Sequence, residues 1–172
     1  MISIFIIYSP DRKQQLESMI SCLDDMDGFK ECQKILIADE KSNIFPDGFE
    51  VIENPRRNGK FVWSWAWAAG VYHSRHESII YLDSDRILPI NYISLIKKEL
   101  RPNSFVFTSD HRMLNQDFSL KKNKNIRDYP LNYEYFVDLD VRHVMPLEGP
   151  GKNVMSGSVA FMKSDYIKSG GV

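Results

Sequence analysis

The hydrophobic residues of this chain fall into short runs that carry no polar alternation and end at turn residues. The first run, Ser3 to Tyr8, is rich in isoleucine and is followed by Ser9-Pro10-Asp11. Such a run is typical of a strand that is covered on both faces of a sheet. The same pattern predicts further strands at residues 35–38, 51–52, 79–82, 105–108 and 158–162.

Between these runs, apolar residues recur at helical spacing. One helix is predicted from Leu16, Met19, Ile20 and Leu23, and another from Ile93, Ile96 and Leu100. The segment FVWSWAWAAGVYH is apolar nearly all round the helix axis, so we expect a buried helix with Trp63 and Trp67 in the core. Strands that alternate with helices predict an α/β fold, with a mostly parallel, Rossmann-like sheet and helices on both faces.

Length and charge narrow the classes of protein. The chain has 172 residues, which fit a single domain, here residues 1–172. Its 22 Lys and Arg residues nearly balance its 23 Asp and Glu residues, for a net charge of −1. This balance argues against a nucleic-acid partner and against bulk binding to an anionic membrane. Local basic clusters remain able to bind a small anion.

The cysteines and the N-terminus bear on location. Cys22 and Cys32 match neither a CxxC motif nor a zinc spacing, so we expect reduced thiols in a reducing compartment, with one disulfide the less favoured alternative. The apolar N-terminus lacks a basic start, and no run approaches the ~20 residues of a membrane span. We expect a cytoplasmic chain without an integral membrane segment, which leaves peripheral association with the inner face of the membrane open.

The segment IIYLDSDRILP places two carboxylates, Asp83 and Asp85, directly after a buried strand. In open α/β sheets, ligands bind outside the carboxyl ends of the strands. Two carboxylates there predict a site for a hard divalent cation, Mn²⁺ or Mg²⁺, which prefers oxygen ligands and leaves room for phosphate oxygens. The structural alternative is that one aspartate stabilises the turn before Pro89.

A second functional interpretation of the Asp-x-Asp sequence is a haloacid-dehalogenase-type phosphatase. Those enzymes also carry Asp-x-Asp after an apolar strand, and the first aspartate, here Asp83, would be the nucleophile. Their motif usually lies near the start of the chain, and no later acidic pair supports the match. This interpretation is the alternative to a nucleotide site.

Five segments of the chain follow one another in a distinctive order: IFIIYSPDR, ILIADEKS, ENPRRNGKFVWSWAWAAGVYHSRHESI, YLDSDRILP and MSGSVAFMKSDYIKSGGV. This order resembles that of the nucleotide-sugar-dependent glycosyltransferases of the GT-A fold, particularly the family 2-like group. The five segments cover nearly the whole chain. In the family, a strand and turn under the nucleotide come first, and an acidic residue near the base ends the second strand. An Asn/Gly turn, the metal-binding Asp-x-Asp and a Gly-Gly turn follow.

The resemblance implies roles for particular residues. Asp85 would hold the metal, Asp83 would reach the metal or the ribose, and Asp39 would accept a hydrogen bond from a uracil N–H. Cationic side chains would hold phosphate or ribose: Arg12, Arg56, Arg57 and Lys60. Gly157 would let the backbone approach the donor sugar or the acceptor, and a tight entry into the strand is the structural alternative. The matched segments also assign Ser9, Asn58 and Ser84 to the nucleotide-sugar site.

The resemblance implies a metal-dependent glycosyltransferase of the hexosyltransferase type, with a place in polysaccharide biosynthesis. It would move a sugar from a nucleotide-diphosphate sugar, with UDP the expected nucleotide, to a saccharide or other hydroxyl acceptor. Two departures matter: the family usually has small and polar residues where this chain has tryptophans, and acidic residues normally follow the Gly-Gly turn. We therefore expect a truncated domain whose general base lies beyond Val172, with a non-catalytic nucleotide-sugar-binding domain as a further alternative.

Overall fold

The computed structural model describes residues 1–8, 12–39, 46–84, 88, 90–107 and 158–171. Residues 110–135, a polar segment with Lys and Asn runs for which the sequence predicts a loop, lie outside the described residues. The elements in chain order are β1 (Ile2–Tyr8), α1 (Lys13–Asp24), β2 (Gln33–Asp39), β3 (Glu50–Asn54), β4 (Arg56–Arg57), β5 (Lys60–Phe61), α2 (Trp63–His73), β6 (Ser78–Asp83), α3 (Tyr92–Glu99), β7 (Phe105–Phe107), β8 (Ser158–Met162) and α4 (Lys163–Lys168).

Six of the strands form one sheet in the order β3-β2-β1-β6-β8-β7. Strands β3, β2, β1 and β6 run parallel, whereas β8 is antiparallel to both of its neighbours. The residues opposite Ile7 are Ile37 in β2 and Asp83 in β6. The mostly parallel sheet predicted from the apolar runs is therefore confirmed, and the carboxyl ends of its parallel strands meet at one edge.

The helices cover both faces of the sheet because the chain adds strands first on one side of β1 and then on the other. From β1 the chain moves outward through α1 to β2 and β3, and it then returns through α2 to β6 on the other side of β1. Right-handed crossovers in opposite directions place their helices on opposite faces. Apolar residues of α1 accordingly share one core cluster with Ile4 and Ile6, and those of α2 share the other with Phe5 and Ile7. Helix α3 packs in the same cluster as α1.

Helix α2 is buried along one side only, which corrects the expectation of a fully buried helix. Its buried residues are the small ones Ala66, Ala69, Gly70 and Val71. A Cβ atom at Gly70 would lie 2.4 Å from the Phe5 ring, so glycine lets the helix backbone approach the sheet. The small side faces the strands, and the large side chains are displaced to the flanks.

Of the three tryptophans of α2, one packs in the core and two are exposed. Trp67 packs as predicted, with its ring 4.5 Å from Tyr81 and 5.8 Å from Phe161, measured between centroids. Trp63 contacts the Phe61 ring at 5.1 Å but is 54% exposed, so its predicted core position is wrong. Trp65 is 38% exposed.

The two cysteines are free thiols, in agreement with the prediction. Each is partly buried, and this burial raises the pKa of both Cys22 and Cys32 above the ordinary value of a thiol. Among the helices of the described residues, none has the length and apolar character that crossing a membrane would require.

A buried hydroxyl pair connects α3 to β8. The hydroxyls of Tyr92 and Ser158 are hydrogen-bonded, and both residues are almost completely shielded from solvent. Burial raises the pKa of Tyr92 to about 12, with a smaller opposing effect from the hydrogen bond to Ser158. Because the folded state favours the neutral phenol, this contribution to stability is complete below pH 10 and is lost as the pH rises through about 12.

We expect Tyr92→Phe to lower the free energy of unfolding by about 1–2 kcal/mol, because the Ser158 hydroxyl loses a buried partner. Tyr72→Phe is the matched control, since Tyr72 is 80% exposed. Urea unfolding measures both variants. Ultraviolet titration provides a second measurement. The phenolate signal that the wild type shows and Tyr92→Phe lacks should have its midpoint near pH 12. Equal stability of both variants would show that the hydroxyl pair contributes nothing.

Candidate active site

The reversal of strand order creates a crevice between two adjacent parallel strands. From the carboxyl end of β1 the chain leaves to one side, and β6 lies on the other. Ligands of doubly wound sheets bind outside the carboxyl ends of the strands, at the point where the strand order reverses. The candidate site is the carboxyl edge of β1, β2, β3 and β6.

Asp83 lies at this crevice as the last residue of β6, directly opposite Ile7 of β1. It is half-buried, and its Oδ1 accepts a hydrogen bond from the Tyr81 hydroxyl. Alternate residues of a strand share a face, so Tyr81 and Asp83 both project toward α2. Because the Tyr81 ring is itself packed against Phe5 and Trp67, the Asp83 carboxylate is oriented by a rigid neighbour.

Asp39 ends β2 at the same edge and is paired with a cation. It is 1% exposed, and both of its oxygens contact the Arg56 guanidinium. Arg56 Nε donates to Oδ1 at 3.0 Å, and Arg56 Nη2 lies 2.8 Å from Oδ2. The first of these contacts is a hydrogen bond, and the second is an ion-pair contact. The sequence interpretation treated the two residues separately, and the structure brings them together.

A short hairpin, β4–β5, follows the carboxyl end of β3 and carries four of the predicted site residues: Arg56, Arg57, Asn58 and Lys60. Asn58 and Gly59 form its turn with φ angles of 53° and 73°, the left-handed values that a two-residue hairpin turn requires. Arg57, Asn58 and Lys60 are exposed. We predicted only a polar turn here, although the Asn-Gly pair is a strong hairpin signal in sequence.

Two of the remaining predicted site residues, Ser84 and Arg12, are among the described residues. Ser84 directly follows Asp83 and is 3% exposed. Arg12 is exposed at the start of α1. Ser9, Asp85 and Gly157 lie outside the described residues. The strands of Asp39 and Asp83 are separated by β1, and two strand spacings correspond to about 10 Å across the sheet.

The described residues test the predicted metal site only in part. They include no group of three or more His, Cys, Asp or Glu side chains arranged to hold an ion. Mg²⁺ sites commonly use one or two carboxylates, several waters and the phosphates of the substrate. The Asp83 carboxylate, a hard oxygen ligand at the crevice, fits that kind of site.

A separate groove lies on the face of the sheet that α2 covers, near the amino ends of the parallel strands. Its volume is about 530 Å³, and its walls come from β7, β8, α4 and Trp67. The groove includes Asn103 and Ser104 before β7 and Ser169 after α4, where β8 pairs with the amino end of β6. It is therefore distinct from the edge that carries Asp83.

The fold is that of the GT-A glycosyltransferases, as the resemblance predicted. The structure is similar to a glycosyltransferase, GlyE in Streptococcus pneumoniae TIGR4, with a TM-score of 0.54, 12% identity and 98% of this chain covered. It is similar to WbbM, a bifunctional glycosyltransferase, with a TM-score of 0.57, 10% identity and 98% covered. It is also similar to the mannosyltransferase PcManGT from Pyrobaculum calidifontis, in complex with GDP-Man and Mn²⁺, with a TM-score of 0.51, 13% identity and 65% covered.

These likenesses establish the fold and no more. The chain spans about a third of the length of these structures: 36% of GlyE, 32% of WbbM and 35% of PcManGT. No protein-family model and no curated protein matches the sequence.

We expect Asp39→Asn to lower the free energy of unfolding by about 2 kcal/mol, the scale of a hydrogen bond to a charged group. The amide would keep one acceptor but turn an N–H group toward the guanidinium. Glu53→Gln is the control, because Glu53 is exposed on the neighbouring strand β3. Chemical unfolding measures the difference. A change no larger than that of the control would mean that the ion pair does not stabilise the fold.

Proposed function

We propose that the protein is a metal-dependent glycosyltransferase that moves a sugar from a nucleotide-diphosphate sugar to a saccharide or other hydroxyl acceptor. The position of Asp83 carries this proposal. A half-buried carboxylate at the point where the strand order reverses lies where a sheet of this kind binds its ligand. The glycosyltransferase fold of the chain supports the same assignment.

The leaving group of the reaction defines what the site must supply. When the sugar departs, negative charge develops on the diphosphate, and a catalyst must stabilise that charge more strongly in the transition state than in the ground state. Asp83, with Asp85, would hold Mn²⁺ or Mg²⁺. The ion, when bound, supplies Lewis acidity toward the phosphate oxygens. Tyr81 would keep the Asp83 carboxylate oriented through its hydrogen bond.

The β4–β5 hairpin would supply further positive charge. Arg57 and Lys60 are exposed beside the carboxyl edge and would donate charge-assisted hydrogen bonds to the diphosphate. Ser9, Arg12, Asn58, Ser84 and Gly157 complete the proposed nucleotide-sugar site. Their roles follow from the matched segments.

We propose uridine diphosphate as the nucleotide of the donor. Asp39 is the residue predicted to accept a hydrogen bond from the N–H group of its base. The carboxylate of Asp39 is bonded to Arg56, whose side chain is 26% exposed. The Asp39 carboxylate would accept from the base N–H, and the Arg56 guanidinium would hold that carboxylate from the side of the hairpin.

The test is calorimetric titration of the protein with UDP in the presence and absence of Mn²⁺. We expect binding only with the metal, and we expect Asp83→Asn to weaken it about 100-fold, because the ion loses a ligand. Asp24→Asn is the control, since Asp24 is an exposed carboxylate on α1, away from the edge. Equal affinity of Asp83→Asn and wild type would contradict the proposal.

Other outcomes separate the alternatives. Release of phosphate from p-nitrophenyl phosphate, together with a covalent phosphate trapped on Asp83, would identify the phosphatase instead. Metal-dependent binding of a UDP-sugar with neither hydrolysis nor transfer would identify a non-catalytic nucleotide-sugar-binding domain.

A further inference from the structure

The Arg56 guanidinium makes three contacts in two directions. Through Nε and Nη2 it binds the buried Asp39 carboxylate at the end of β2, at 3.0 Å and 2.8 Å. Through Nη1 it donates to the Gly59 carbonyl in the hairpin turn at 2.7 Å. Since the guanidinium is planar and rigid, these contacts fix the turn relative to the sheet.

The hairpin needs such an anchor because it is very short. Strands β4 and β5 have two residues each, and two residue pairs join them. An isolated two-stranded hairpin of this length has little stability in water. At its base, Asn54 Nδ2 donates to the Val62 carbonyl at 3.4 Å, which closes the loop where it leaves and re-enters the fold. The Arg56 contacts hold the other end, at the turn.

The charges of the hairpin are all positive. Arg56, Arg57 and Lys60 are its ionisable residues, and Asp39 balances the first of them. Arg57 and Lys60 are exposed, and they lie on either side of the turn. Their distance from a ligand at the edge depends on where the turn is held, which is set by the contacts of Arg56.

We propose that Arg56 is a positioning residue for the donor diphosphate: through Asp39 and the Gly59 carbonyl, it holds the turn so that Arg57 and Lys60 face the phosphates. This inference rests on the proposed function. It assigns Arg56 a role that acts through other residues, so the affinity for phosphate should depend on it more than the affinity for the nucleoside does.

The sharpest test is a double-mutant cycle with Arg56→Lys and Lys60→Gln, read as the affinity for UDP and for uridine with Mn²⁺. Lysine keeps the charge but cannot contact both carboxylate oxygens and the carbonyl at once. We expect Arg56→Lys to weaken UDP binding about tenfold, as loss of a charge-assisted contact would, and to leave uridine binding within about twofold.

The double variant should show that the two residues act through one element. If Arg56 works by placing Lys60, the loss in the double variant is smaller than the product of the two single losses. Arg75→Lys is the matched control, because Arg75 also contacts a carboxylate, that of Glu50 at 3.4 Å, but lies after α2. It should leave both affinities unchanged.

A second variant covers the case in which Arg56→Lys does not fold. Gly59→Val strains a turn residue with a φ of 73° and leaves the guanidinium in place. It should also weaken UDP binding more than uridine binding.

Four results would contradict the positioning role. Losses that multiply, or a UDP affinity of Arg56→Lys equal to wild type, overturn the positioning role while metal-dependent binding of UDP by the wild type still supports the proposed function. Equal weakening of UDP and uridine overturns it as well, since Arg56 would then act on the base. Absence of UDP binding by the wild type overturns both proposals.

Discussion

The structure depends on a constraint of chirality at β1. Crossovers between parallel strands are right-handed, so a chain that builds a sheet outward and then returns to the other side of its first strand must place its helices on opposite faces. Here α1 and α2 obey that constraint, and the strand order changes direction between β1 and β6. Asp83 lies at this reversal, at the carboxyl end of β6 and opposite Ile7 of β1.

Polar groups at this edge are held by partners that the core positions. The Tyr81 ring packs in the α2 core, and its hydroxyl bonds to Asp83. Asp39 is buried at the end of β2, and the Arg56 side chain links it to the hairpin. Each arrangement joins a buried anchor to a group at the surface, so the side chains of the edge are organised before a ligand binds. Preorganisation of this kind lowers the cost of ordering side chains on binding.

Much of the fold could be predicted from the sequence because its strands are continuous apolar runs. Each of the six predicted strands is present within about two residues of its expected bounds, and Ser158–Met162 matches fully. The position of Asp83 followed from the rule that ligands bind at the carboxyl ends of parallel strands. The free state of Cys22 and Cys32 followed from their spacing.

What the sequence could not supply depended on tertiary contacts. The apolar content of α2 indicated burial all round, but packing used its small residues, and Trp63 remained exposed. The pairing of Asp39 with Arg56 joins residues 17 apart in the chain, and periodicity carries no signal for such a contact. The hairpin had a local signal in Asn58-Gly59, which was interpreted as a simple turn.

The central claim is that a nucleoside diphosphate and a divalent ion bind at the carboxyl edge between β1 and β6. Nuclear magnetic resonance of the labelled protein with UDP and Mn²⁺ tests it most directly, because the paramagnetic ion broadens the signals of nearby amides. We expect broadening at Tyr8, Asp83 and Ser84 but not at Ile2, Ser78 or Asn103. Broadening confined to the amino edge or to the groove near Asn103, or none at all, would contradict it.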